Sequence, residues 1–228
     1  MRTVLVVRHA RAKGNTEHRF IGQQDVPLDE IGRLQAAALT RRLLTLPITR
    51  IVSSDLARSL DTVQGLTRAL GIDVEPDRRL REIDNGEWSG LLPTQIEEQW
   101  PSLWSAYVRG EDVDRPGGES WHIVRERATR AIAEHAGTQS SDGILLIATH
   151  GGPALSAAMW AAGLAPGGNI FRRGLGAVGN TGITTIELTG PSLSAPRLAG
   201  FNDLGHLPPG LAPAIRTEDR LPYQPVTE

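Results

Sequence analysis

No cysteine occurs in the chain, so disulfides, thiolate metal sites and cysteine nucleophiles are all excluded. Long hydrophobic runs are missing too. Nothing approaches the roughly 20 consecutive apolar residues of a membrane-spanning helix. The opening stretch MRTVLVVRHA is too short, too interrupted and too poor in small residues to read as a secretory signal, so a cytoplasmic location is expected. A charge excess of one sign is also lacking. The formal net charge of -2 gives no reason to expect nucleic acid or an anionic membrane as partner. Lysine is nearly absent, with Lys13 alone beside many arginines, which reads as compositional bias.

What remains is an ordinary globular composition in 228 residues, 39% hydrophobic and 22% charged, long enough for one domain with a sizeable core. Val4–Val7 reads as a short buried strand. From Asp29, a plausible N-cap, Ile31, Leu34, Ala38, Leu39 and Leu43 recur at helical spacing until Pro47. Ile51 and Val52 begin a second strand closing on Ser53-Ser54-Asp55, and Asp55 is placed to cap a helix over 56–70 that Gly71 stops. IDVEP is a third extended segment. Residues 94–108 read as one Trp-containing helical stretch, RGEDVDRPGGES as a polar loop, and 121–135 as a helix. GILLIATH is the most apolar strand, 153–163 is helical, and GITTIEL reads as an edge strand. From Gly190 the chain is rich in proline and glycine and is expected to wrap the surface or to be partly disordered. No internal repeat is present. Alternating strands and helices predict an α/β three-layer sandwich with a mostly parallel sheet.

Two buried strands end in histidine, at His9 and His150, and a third ends three residues before Arg58 in the first turn of a helix. Ligands of open α/β sheets bind outside the carboxyl ends of strands, so Arg8, His9, Arg58 and His150 are expected to converge there as an anion site. A helix N-terminus would add free N–H groups. A phosphate pocket doing covalent chemistry needs such a set: neutral imidazole attacks phosphorus while guanidinium groups hold the other oxygens. A carboxylate must then protonate the leaving oxygen. Glu82 is the candidate, with Asp84 and Glu87 as rivals that spacing alone does not reject.

These residues carry a family resemblance. RHARAKGN resembles the opening motif of the histidine phosphatase superfamily, the phosphoglycerate-mutase-like group, and supplies Arg8, His9 and Asn15. RFIGQQDVPLDEIGRLQA, IVSSDLARSLDT, LREIDNGEWSGL, PGGES and THGG resemble its later motifs in order, and FNDLGHL a further element of phosphatase members. The resemblance implies His9 as nucleophile, with Arg8, Arg58 and a protonated His150 holding the phosphoryl group. Asn15 and the backbone at Ile21–Gly22 and Gly151–Gly152 would bind it as well, and Glu82 would be acid and then base. It implies no metal and no cofactor, a small phosphomonoester as partner, a helical cap at about 91–117 and, at family level, a homodimer. The leaving group would be read by the cap and by a loop at 165–180.

One departure is Ala10, where the family has glycine. If that backbone needs a positive φ, a Cβ costs roughly 1 kcal/mol or more. Phosphatase is favoured over mutase because only 36 residues separate Glu82 from Glu119, holding Arg109 and Arg115 but no arginine pair and no lysine. A metal hydrolase built on His9 and His150 lacks the usual ligand spacing. An inactive phosphate binder would have no use for a general acid. His18, His122 and His135 read as surface or packing residues and His206 as a hydrogen-bonding one. Trp88, Trp100, Trp104 and Trp121 read as packing the cap, with one or two lining the pocket.

Overall fold

The computed structural model describes residues 1–14, 19–140, 142–165, 168, 170, 175–189 and 195–212. Asn15, His18 and the tail beyond 212, together with parts of the 165–180 loop, lie outside the described residues. Strands β1 (Arg2–Arg8), β2 (Ile48–Ser53), β3 (Val74–Pro76), β4 (Ile144–Thr149), β5 (Ile183–Thr189) and β6 (Ala195–Asp203) form one sheet in the order β3-β2-β4-β1-β5-β6. β1, β2, β3 and β4 are mutually parallel, and β5 runs against both β1 and β6, so a single strand is reversed.

The continuous apolar runs at β1 and β4 follow from burial on both faces. Successive side chains point to opposite sides of a strand. Val4, Val6, Leu145 and Ile147 enter one core, shared with helices α5 (Trp121–Thr138) and α6 (Gly151–Ala161). Leu5, Val7, Leu146 and Ala148 enter the other, shared with α1 (Glu30–Leu43) and α2 (Ala57–Leu70). The result is three layers, as the alternation implied.

Local chemistry sets the helix ends. Asp29 caps α1 as expected, its side chain accepting from the Gly32 N–H, and Gly71 ends α2 in a left-handed turn. Asp55 does not cap α2. Its carboxylate is taken by Arg81 at 2.6 Å, and the Ala57 N–H is instead given to Asp25 Oδ1 at 2.8 Å. The stretch expected as one helix over 94–108 is two, α3 (Pro93–Gln99) and α4 (Pro101–Val108). Pro101 lacks an N–H and pushes Trp100 out of the helical region, to φ −133 and ψ 61.

Two expectations at the C-terminal side are corrected. GITTIEL is not an edge: β5 lies between β1 and β6. Part of the segment expected to wrap the surface is β6 itself, with Leu198 and Phe201 packed on the core. Its proline is tolerated because this strand is the true edge.

A separate aromatic cluster forms the cap. Trp88, Ile96, Trp104, Tyr107 and Val113 are buried together, with Phe20 and Trp100 against them. Trp88 meets Tyr107 edge-on at 5.6 Å, and Trp104 stacks on Tyr107 at 5.4 Å. Trp121 was expected here but belongs to the main core at the start of α5. Among the described residues no helix is long and apolar enough to cross a membrane.

Candidate active site

β1 ends at Arg8, β4 at Thr149, and β2 at Ser53, side by side in the sheet. The residues that follow those ends are therefore delivered to one edge. Arg8, His9, Ile21, Gly22, Arg58 and Glu82 line a single cavity of about 260 Å³. His150 lies behind His9, its ring centroid 5.0 Å away. Gly151 and Gly152 begin α6.

His9 is held from several sides. Its N–H donates to Thr149 O at 2.8 Å, and its carbonyl accepts from Asn180 Nδ2 at 3.0 Å. The Thr181 N–H donates to Arg8 O at 3.0 Å, from a residue with φ +59, an uncommon backbone for a β-branched side chain. His206 Nε2 lies 3.1 Å from Thr181 Oγ1. His9 Nδ1 sits 2.7 Å from the carbonyl of Ala10. A carbonyl only accepts, so Nδ1 carries the proton and Nε2 keeps its lone pair. Burial, aided by the Arg58 and Arg8 guanidinium groups, holds the His9 imidazole well below the usual histidine range. A neutral ring with a free Nε2 is the form a nucleophile requires.

Ala10 has no positive φ; its N–H donates to Thr62 Oγ1 at 2.9 Å, and its methyl is buried with Leu28 and Ala36. The departure from glycine therefore carries no backbone strain.

Arg58 is buried in the first turn of α2. Its Nη1 donates to Gln24 O at 2.7 Å, its Nη2 to Gly22 O at 2.8 Å, and its Nε to His150 Nδ1 at 3.2 Å. Gly22 accepts this approach with φ +53, and a Cβ there would meet Asn85 and Ile83. Because a guanidinium only donates, His150 Nδ1 must be unprotonated, and its Nε2–H is given to Ser54 Oγ at 2.8 Å. Burial, then Arg58, pushes its pKa well below the ordinary value. These two contacts describe a neutral His150 ring. Arg8 Nη1 donates to Val178 O at 2.6 Å, while its buried Nε has no partner among the described residues.

Glu82 is the carboxylate in the cavity. Asp84 accepts from the Gly86 N–H outside the lining, and Glu87 is exposed. Glu82 accepts from its neighbour Ile83 N–H at 3.0 Å and from Gly152 N–H at 3.2 Å. The Gly152 N–H expected to face a phosphoryl group is given to Glu82 instead. A Cβ at Gly152 would come within 2.5 Å of both the Glu82 carboxylate and the Trp121 ring, so any larger residue there would displace one of them.

Sequence reading missed Arg127. It forks onto Glu119 at 2.7 and 2.8 Å and reaches the carbonyls of Arg79, Arg81 and Glu82, fixing the Glu82 turn. Glu119 accordingly serves that turn from outside the cavity lining. Ser54 and Arg115 were also missed; Arg115 sits in the expected polar loop yet is 2% exposed. The rest of the wall comes from Ala12, Gly14, Arg19, Phe20, Val26, Asn85, Tyr107 and Trp121. Among the described residues no group of three or more His, Cys, Asp or Glu is placed to hold a metal ion.

A neutral histidine with a free Nε2, two arginines and one carboxylate meet at the carboxyl edge of this sheet. Residues 4–202 match the model of the histidine phosphatase superfamily (branch 1), and the chain belongs to that family. It is 35% identical over 167 residues to glucosyl-3-phosphoglycerate phosphatase of Mycobacterium tuberculosis, covering 69% of this chain and 75% of that one. It is 37% identical over 134 residues to a probable phosphoglycerate mutase of Salmonella choleraesuis, covering 58% of this chain and 62% of that one. In structure it resembles mycobacterial glucosyl-3-phosphoglycerate phosphatase, with TM-score 0.76 at 30% identity over 88% of this chain and 98% of the other. A Bacillus stearothermophilus protein, YhfR, matches with TM-score 0.81 at 27% identity over 90% of this chain and 99% of that one.

Proposed function

We propose that this protein is a phosphatase that hydrolyses a small phosphomonoester through a phosphohistidine on His9. The observation that carries the reading is the His9 tautomer: Nδ1–H is tied to its own chain, and Nε2 keeps a lone pair in a cavity shared with Arg8, Arg58 and Glu82.

In the first step the Nε2 lone pair attacks phosphorus as the bond to the leaving oxygen breaks. Arg8 and Arg58 stabilise the charge spread over the remaining oxygens, and Glu82 gives its proton to the departing alkoxide. In the second, water attacks the phosphohistidine, its proton passes to Glu82, and the N–P bond breaks to release inorganic phosphate and neutral His9. Arg127 and Glu119 keep Glu82 in line with that exchange. Asn15, matched to the family motif, adds a phosphoryl contact in this reading.

A phosphomutase reading has the support of the Salmonella relative's name. The cap speaks against it, since it contributes one arginine, Arg115, to the cavity and neither an arginine pair nor a lysine.

The test is rapid quenching with ³²P-labelled substrate in excess EDTA, wild type beside His9→Ala. Acid-labile, base-stable label on the wild-type protein and none on the variant is the expected result. Turnover of p-nitrophenyl phosphate that survives in His9→Ala would overturn the assignment, and loss of wild-type turnover to EDTA would indicate metal-assisted hydrolysis.

A further inference from the structure

We infer that His206 is a positioning residue for the nucleophile: through Thr181 it locks the turn over 178–182 that holds Arg8 and His9. This rests on the phosphatase reading above and assigns a role to FNDLGHL, an element which that mechanism leaves unused. The family match ends at residue 202, so His206 lies beyond it.

Among the described residues two that are not glycine have a positive φ, Thr181 at +59 and Asn202 at +51. Both belong to one junction, where the end of β6 meets that turn. Asparagine enters the left-handed region readily, whereas a β-branched residue stays there only when its surroundings hold it. Strained backbone of this kind gathers where a site must keep one geometry. The turn is also the one that touches the nucleophile. Its Val178 carbonyl accepts from Arg8 Nη1 at 2.6 Å, the Asn180 side chain donates to His9 O at 3.0 Å, and the Thr181 N–H donates to Arg8 O at 3.0 Å.

A bond from the Gly182 N–H to Gly179 O at 2.9 Å closes the turn and puts Thr181 at its third position, where a positive φ ordinarily calls for glycine or asparagine. Threonine brings strain to that position but also a hydroxyl. Thr181 Oγ1 donates to Asn180 O at 2.7 Å; a carbonyl only accepts, so the same oxygen accepts from His206 Nε2–H at 3.1 Å. Asn202 Oδ1 secures the opposite end by accepting from the Gly179 N–H at 2.8 Å. His206 is brought back to the turn by a reversal in which Asp203 Oδ1 accepts from the Gly205 N–H at 2.8 Å, and the buried Leu207 beside it fixes the element on the body of the protein. Arg58 and Glu82 are held by other segments, at Gly22, Gln24 and Gly152. Loosening this junction therefore disturbs the aim of His9 more than the binding of phosphate.

Steady-state turnover of p-nitrophenyl phosphate, measured below each variant's melting transition, tests this. His206→Ala is expected to lower kcat by about 10- to 100-fold, the scale of a small misplacement of a reacting group. KM should stay within about 3-fold of wild type. His206→Gln, whose amide N–H can also donate to Thr181 Oγ1, should recover part of the loss. Thr181→Gly adopts the positive φ without needing a side-chain anchor. Whatever the level of that variant alone, adding His206→Ala to it should cost no more than about 2-fold further.

A folded His206→Ala protein with wild-type kcat would overturn the inference. So would a loss that multiplies in full on the Thr181→Gly background, or one that appears in KM or follows the melting temperature alone, since His206 would then only stabilise the fold. If p-nitrophenyl phosphate turnover survives in His9→Ala, the phosphatase reading fails first, and this inference fails with it.

Discussion

The cavity has two ends built on different principles. At the phosphoryl end, Arg8, His9, Arg58 and His150 stand on strand and helix termini, and each is fixed by hydrogen bonds to backbone or to another member of the set. At the other end, Phe20, Tyr107 and Arg115 are held by ring faces and apolar packing; Tyr107 stands on the short helix α4, while Phe20 and Arg115 lie in loops. Hydrogen bonds with one geometry suit chemistry that never changes. Packed rings around a pocket tolerate exchange of residues, which suits a site that must select among leaving groups. On the proposed reading, the difference places the reaction at the sheet edge and the choice of leaving group in the cap.

Glu82 lies where the two ends meet, and its substitution should give the largest separation. Glu82→Gln is expected to slow hydrolysis of alkyl phosphates by about 10²–10⁴-fold. Turnover of p-nitrophenyl phosphate, whose leaving group scarcely needs a proton, should fall far less. Equal loss on both substrates in steady-state kinetics would remove Glu82 as the leaving-group acid.

Trp88→Ala strikes the cap alone. Trp88 is fully buried among the cap rings, so the variant should lose about 3–5 kcal/mol of stability in urea unfolding. The His9 hydrogen bonds are untouched by it, and phosphohistidine formation by the folded fraction should persist. A stable Trp88→Ala protein with a dead nucleophile would break the proposed division.

The phosphoryl end, by contrast, should show itself in acid. His9 and His150 have native pKa values below the ordinary 6.5, so below that pH the unfolded chain binds more protons than the native one. Stability is therefore full above about pH 6.5 and falls as pH drops toward the native values, by about 1.4 kcal/mol per pH unit for each histidine. His9→Ala should flatten its share of that slope in unfolding titrations between pH 6.5 and 5.5. An unchanged slope would mean His9 is already free to protonate.

The smallest effect belongs to Ala10→Gly. With no positive φ to relieve, the change should cost about 0.4–1 kcal/mol and leave kcat nearly as it was. A rise in activity would show that the methyl crowds the nucleophile after all.

The phosphoryl end was legible in sequence because its residues follow strand ends, and a strand end is a local signal. Val4–Val7 before Arg8-His9, and ILLIAT before His150, announce both the element and the place where it stops. Arg127 and Ser54 were not legible, because what gives them meaning is far away in the chain; Arg115 has Tyr107 and Trp121 close in sequence, but only the folded loop lays it on their faces. Arg127 meets Glu82, Ser54 meets His150, and Arg115 meets Trp88 and Tyr107. Asp55 looked like a cap because nothing local shows that Arg81 takes it. Two misses did have a signal. Pro101 should have split the cap helix, and the period-two spacing of Pro196, Leu198 and Gly200 marks β6, a pattern obscured by the proline and glycine around it.

The reversed strand β5 has a consequence for synthesis. β1 is the first strand to be made, yet both of its neighbours in the sheet, β4 and β5, come far later. The Asn180 side chain that holds the His9 carbonyl lies 171 residues downstream. At translation rates of 5–20 residues per second, about 10–30 s pass between the appearance of the nucleophile and that of its last supports. Through that interval the nascent chain carries His9 without the frame that aims it. On the proposed mechanism, competence is expected only late in translation, and onset of activity in a stalled-ribosome series would time the closing of the sheet.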